Sequence, residues 1–121
     1  MSIKALIADD SGVMRKIIVR AATAAGIQNI VEAVDGADAI AKFSAESFDL
    51  VLTDWNMPNK TGLEVIQEIR ATGSTVPIIM VTTEGEKASV LQAIQAGVTD
   101  YLTKPFEADA LLAKIEKLAI A

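Results

Sequence analysis

The sequence contains no cysteine and no histidine. The first absence excludes a disulfide scaffold, a thiol nucleophile and thiolate metal sites. The second excludes Ser-His-Asp catalysis, imidazole proton shuttling and most zinc or copper centres. Any metal must therefore be held by oxygen, which points to Mg²⁺ or Ca²⁺. A chain without histidine also cannot be the phosphohistidine member of a phosphorelay; in such a relay it is an acceptor. Aromatic residues are scarce at 4%, so the core must be aliphatic. Basic residues are outnumbered, leaving a net charge of −5. An acidic surface disfavours nucleic acid and anionic membrane as partners, because both recruit clustered Lys and Arg. No segment approaches the ~20 apolar residues needed to cross a bilayer. Met1 to Lys4 lacks the long apolar run and cleavage site of a signal peptide. The expected location is the cytoplasm.

What is present is an alternation of short β-type runs with helix-type segments. At 121 residues and 51% hydrophobic, the chain fits a single domain with one well-filled core. Strands are expected over Ile3–Ala8, Asn29–Val34, Asp49–Thr53, Pro77–Thr82 and Val98–Thr103. Ser11 can cap a first helix in which Met14, Ile17, Ile18, Ala21 and Ala25 share a face, with Gly26 as its stop. Asp35-Gly36 turns into a second helix that points Ile40 and Phe43 inward. Thr61 and Glu64 have the spacing of a capping box ahead of a third helix burying Leu63, Ile66 and Ile69. Thr83 or Glu84 starts a fourth, ending near Gly97. Leu111, Leu112, Ile115 and Leu118 mark the fifth. This (βα)₅ pattern has no internal repeat or linker. Fully apolar strands imply a parallel sheet covered on both faces. Right-handed crossovers make that sheet doubly wound, an α/β fold. No output domain is expected within residues 1–121, so output would run through a partner.

In open parallel sheets, ligands bind beyond the carboxyl ends of the strands. Asp9 and Asp10 follow the first strand, Asp54 the third and Lys104 the fifth, while Thr82 ends the fourth. Each alone has an ordinary explanation as a turn, a cap or a loop residue. Their joint occurrence at one rim does not. Three carboxylates brought close would repel one another, and burial would drive some to take up protons. A hard cation with oxygen ligands resolves the conflict. Asp9 or Asp10 can ligate directly and the other through water. Asp54 can give the metal one oxygen and keep the other for attack on phosphorus. Lys104 and the Thr82 hydroxyl can then meet phosphoryl oxygens. The product is an aspartyl phosphate.

Asp9-Asp10, Asp54, Thr82 and Lys104-Pro105-Phe106 resemble the response-regulator receiver domain position by position. The stretch Asp54-Trp55-Asn56-Met57-Pro58-Asn59, with Gly62-Leu63-Glu64, is similar to that of the single-domain chemotaxis response regulators. The resemblance covers the whole chain and implies a flavodoxin-like strand order, 2-1-3-4-5. It implies a phospho-accepting switch that takes its phosphoryl group from a histidine kinase onto Asp54. It also implies Mg²⁺ held by Asp9, Asp10, Asp54 and the backbone carbonyl of Asn56. The Lys104-Pro105 peptide would be cis. Thr82 would move toward the phosphoryl group and Tyr101 would turn inward. Asn56 and Glu84 occupy positions that tune phosphoryl lifetime. The partners implied are an output protein such as a flagellar motor switch component and a phosphatase, met by a monomer. The domain would be no enzyme beyond its own phosphorylation and dephosphorylation.

The sequence departs from the family pattern at two places. Thr61 stands where relatives often carry Asp, and can still cap. Thr83 stands where many carry Ala or Gly, and its branched side chain can crowd the phosphoryl group. Gly85 lowers helix stability at the start of the fourth helix by up to ~1 kcal/mol, which suggests a mobile N-terminus there. Three other readings compete. A haloacid-dehalogenase-type phosphohydrolase needs a second Asp at position 56, where this chain has Asn56. A flavodoxin-like cofactor binder needs a phosphate loop where Asp9-Asp10 stand. A degenerate receiver, or one serving only as a phosphate sink, would keep the fold and change only the output.

Overall fold

The computed structural model describes residues 3–83, 87–104 and 106–118, without the side chains of 83 and 87–89. Glu84, Gly85 and the Lys104-Pro105 peptide lie outside the described residues, as does the side chain of Thr83. Five strands alternate with five helices: β1 (Lys4–Ala8), α1 (Gly12–Ala24), β2 (Asn29–Ala33), α2 (Gly36–Ala45), β3 (Leu50–Asp54), α3 (Gly62–Ala71), β4 (Ile78–Thr83), α4 (Lys87–Ala96), β5 (Asp100–Lys104) and α5 (Ala108–Leu118). All pairings are parallel and the order is β2-β1-β3-β4-β5, the doubly wound sheet expected.

Successive strand residues face opposite sides of a sheet, and here both sides are covered. Ala5, Ile7, Leu50, Leu52, Ile79 and Val81 join Ile18 and Ala22 of α1 and Leu111 and Ile115 of α5 in one core. Leu6, Ala8, Val51, Ile78 and Met80 join Ala39, Val65, Ile66, Ile69 and Ala93 of α2, α3 and α4 in the other. Each large aliphatic removed from water contributes about 1.5–3 kcal/mol, and this burial is what makes the central strands continuous apolar runs. Among the described residues no helix is long and apolar enough to cross a membrane.

The boundaries differ from expectation where tertiary pairing decides them. Asp54 is the last residue of β3, not the first of a loop, because it continues the ladder opposite Val81. Thr83 likewise ends β4 opposite Lys104. It therefore does not start α4, whose described part begins at Lys87. On α1 the buried stripe centres on Ile18 and Ala22. Ile17, about 100° away around the helix, turns out and is 40% exposed. In α3, Val65 is fully buried and Leu63 only packs against the edge of the core. In α5, Leu112 is exposed.

Two glycines let backbones meet near the end of β3. A Cβ on Gly62 would lie 2.3 Å from the Asp54 carbonyl oxygen, and one on Gly36 would lie 2.0 Å from the Lys60 carbonyl oxygen. The clashing atoms are backbone and cannot swing aside. Gly62→Ala is therefore expected to cost about 1–3 kcal/mol, as overpacking does, and to displace Asp54. Urea denaturation measures the first effect. An unchanged midpoint would show that the loop yields freely.

Candidate functional site

The carboxyl ends of β1, β3, β4 and β5 form one rim, and the expected residues stand there. The Asp9 N–H continues the sheet to the Ala33 carbonyl at 3.2 Å. The Asp9 side chain, 1% exposed, accepts the Ser11 N–H at Oδ1, 2.9 Å. Ser11 Oγ in turn accepts the Met14 N–H and caps α1. This tight turn leaves Asp10 exposed beside Asp9. From β3, Asp54 is also buried, though less completely than Asp9. The three carboxylates each bring an oxygen within 4.8 Å of the others.

Lys104 reaches into this group from β5. Its Nζ stands 2.9 Å from Asp54 Oδ1 and 3.2 Å from Asp9 Oδ2. Asp54 Oδ1 also accepts the Trp55 N–H at 2.9 Å. Burial pushes the Asp54 carboxyl above its ordinary pKa, aided by the nearby Asp9 charge, and the Lys104 bond only partly offsets this. Burial is also the largest influence on Lys104 and pulls its ammonium down. The combined bonds and charges of Asp54 and Asp9 outweigh it, so the pKa is raised and the amine stays charged. One ammonium thus serves two buried carboxylates, so it cannot neutralise both, and Asp10 adds a third acidic group. An all-oxygen donor set with excess negative charge fits a hard divalent cation.

The other expected residues are distributed around this group. Thr82 is buried near the end of β4, opposite Thr103. Asn56 is exposed in the loop after β3. Tyr101, on the edge strand, is 42% exposed, with Lys114 Nζ 5.8 Å from its ring centroid. Two contributors had no signal in the sequence. Arg15 donates from Nη1 to the Asp9 carbonyl at 2.8 Å while its Nε holds Glu32, so α1 and β2 together brace the Asp9-Asp10 turn. The Trp55 backbone N–H is invisible to any reading of side chains.

The geometry predicts a stabilisation by metal. A ligand bound only by the folded state stabilises it by RT ln(1 + [L]/Kd), about 1.4 kcal/mol at ten times Kd. Mg²⁺ at ten times its Kd is expected to raise the unfolding free energy by that amount, seen as a higher urea midpoint, and to perturb the fluorescence of Trp55, the single tryptophan, which follows Asp54 directly. Equal midpoints in Mg²⁺ and in EDTA would contradict it.

Comparison with known proteins gives the same direction. The family model described as response regulator receiver domain matches residues 5–116. The chain is 43% identical over 116 residues to the chemotaxis protein CheY1 of Helicobacter pylori, covering 93% of this chain and 94% of that one. It is 41% identical over 117 residues to the chemotaxis protein CheY of Pseudomonas aeruginosa, covering 95% and 94%. Among solved structures, the chemotaxis response regulator CheY4 of Vibrio cholerae superimposes with a TM-score of 0.87 at 32% identity, covering 98% of this chain and 99% of that one. Given a family match over nearly the whole sequence and relatives this similar across almost their full length, the chain belongs to the response regulator receiver domain family.

Proposed function

We propose that the chain is a phospho-accepting switch of a two-component system, and that Asp54 carries the phosphoryl group. The observation that supports this most is the meeting of Asp9, Asp10 and Asp54 oxygens within 4.8 Å of one another, with the Lys104 ammonium bonded to two of them. In this reading Asp9, Asp10, Asp54 and the Asn56 carbonyl hold Mg²⁺. The cation, when bound, neutralises charge on the phosphoryl oxygens.

The rest is done by the chain itself. An Asp54 oxygen attacks the phosphorus of a phosphohistidine on the donor kinase. The O–P bond forms as the N–P bond breaks, and the imidazole leaves with the electron pair and takes up a proton. Lys104 Nζ is released from Asp54 Oδ1 to pair with a phosphoryl oxygen, and the Thr82 hydroxyl donates to another. Return to the resting state needs only water: its oxygen bonds to phosphorus as the Asp54 O–P bond breaks, which releases inorganic phosphate and a proton and restores the carboxylate. Thr82 then communicates the change to Tyr101, whose outward position against Lys114 is the unphosphorylated state. Phosphorylation shifts a two-state equilibrium, and the output is altered affinity for a partner protein. The chemotaxis names of the relatives support a partner in motility, such as a flagellar motor switch component, in the cytoplasm. Asn56, Thr83 and Glu84 set the lifetime of the phosphoryl group. The domain works on no substrate other than its own phosphoryl group.

Incubation with a phosphohistidine-bearing donor domain and Mg²⁺ tests the reading. Intact mass measurement should show one phosphoryl group gained by this chain as the donor loses it. A donor that keeps its label would refute the assignment.

A further inference from the structure

The loop after Asp54 is held from outside by the start of α2. Residues 55–61 form a closed turn: the Gly62 N–H donates to the Trp55 carbonyl and the Lys60 N–H to the Pro58 carbonyl, each at 2.8 Å. Within it Asn59 stands at φ 68°, the one non-glycine residue with positive φ among the described residues. That conformation is unfavourable for a residue with a Cβ, and Asn tolerates it better than most. The Asn59 side chain has a specific reason to be there. Its Nδ2 donates to Asp35 Oδ2 at 2.6 Å. The other Asp35 oxygen accepts the Asp38 N–H at 2.7 Å as the N-cap of α2. One carboxylate therefore ties a helix end to the loop. Beside it, Gly36 admits the Lys60 carbonyl so closely that no Cβ would fit. The loop backbone rests directly on the first residue of α2.

We propose that Asp35 and Asn59 are positioning residues for the divalent cation: their hydrogen bond fixes the loop that presents the Asn56 carbonyl. The inference rests on the metal reading above. With the bond in place, the loop conformation is set before the cation arrives, so binding does not have to order it. Without it, the left-handed Asn59 loses its compensation, and ordering the loop is charged against metal affinity. Outer hydrogen bonds that orient ligands typically change metal affinity by about 10–100-fold when removed. Gly62 and the Trp55 carbonyl fix the base of the same loop, so the effect should fall at the lower end.

Two substitutions separate the bond from the features around it. Asn59→Gly keeps the left-handed backbone and removes the amide. Asp35→Ser keeps a capping oxygen for α2 and is too short to reach Asn59. Titration with Mg²⁺ alone, read by Trp55 fluorescence and by calorimetry, should give a saturable Kd for the native chain. Each variant should raise that Kd about tenfold. The double variant should be no weaker than the singles, because either change alone breaks the one bond. Single variants that bind Mg²⁺ as the native chain does would overturn the inference. So would losses that multiply in the double variant, or a lowered urea midpoint in EDTA with unchanged Kd, which marks a merely structural contact. A native chain that binds no Mg²⁺ would overturn the metal reading and this inference with it.

Discussion

Asp54→Asn is expected to abolish phosphoryl uptake and, at the same time, to make the metal-free fold more stable at neutral pH. The first effect follows from replacing the attacking carboxylate by an amide. The second follows from the environment of Asp54. Burial raises its carboxyl pKa above the ordinary 3.8 despite the Lys104 bond, so the folded state favours the neutral form. For a carboxyl whose folded pKa is raised, its contribution to stability is fully present below the unfolded pKa and is lost as pH rises through the folded value. Above the unfolded pKa the native chain therefore bears a cost at Asp54, either of charge held out of water or of the proton taken up to avoid it. Asn does not titrate and avoids it, while Lys104 keeps Asp9 at 3.2 Å. The gain should be of the size of ordinary stabilising substitutions, ~0.5–2 kcal/mol. It should shrink toward zero as pH falls below 3.8. Urea denaturation in EDTA at several pH values reads it. A variant less stable than the native chain at pH 7 would show that the Lys104 pairing outweighs burial. Such opposition between function and stability is common where a site must hold charge out of water.

Lys104→Met should have the opposite sign and a larger size. The lysine side chain is 12% exposed and bonds to Asp9 and Asp54 carboxylates whose side chains are 1% and 12% exposed. Methionine keeps much of the length and removes the charge. Two nearly buried carboxylates are then left facing each other, and breaking a buried pair from one side costs about 3–5 kcal/mol. This loss should be greatest in EDTA at neutral pH. Protonation of Asp54 at lower pH should reduce it, and so should Mg²⁺, which supplies the missing positive charge. Phosphoryl uptake should also slow by about 10²-fold, the usual effect of removing one donor to a developing oxyanion. Loss of stability that Mg²⁺ does not restore would mean that the cation and the lysine do not serve the same carboxylates.

Much of this was legible in the sequence because the fold leaves few alternatives. A parallel sheet buried on both faces makes every strand a short apolar run, and the strand ends then mark where ligands bind. That logic brings Lys104 to Asp9, although they stand 95 positions apart. It worked less well wherever a neighbour decided the outcome. Asp54 and Thr83 belong to strands because Val81 and Lys104 pair with them, which no local run of residues reveals. Ile17 matched a helical stripe loosely, and the packing of Ile18 and Ala22 against the sheet turned it outward. Arg15 and Asn59 act through backbone and second-contact hydrogen bonds. A sequence shows Arg15 as one of several surface cations and Asn59 as one more turn residue. Only the fold shows that one holds the Asp9 carbonyl and the other meets Asp35.

The carboxylates at the rim are expected to act together with a cation to place one phosphoryl group on one oxygen. Site-resolved mass spectrometry of the native chain after acetyl phosphate treatment, in Mg²⁺ and in EDTA, tests this directly. The expected result is a single acyl phosphate at Asp54 in Mg²⁺ and none in EDTA. A phosphoryl group on any other residue, or equal labelling in EDTA, would contradict it.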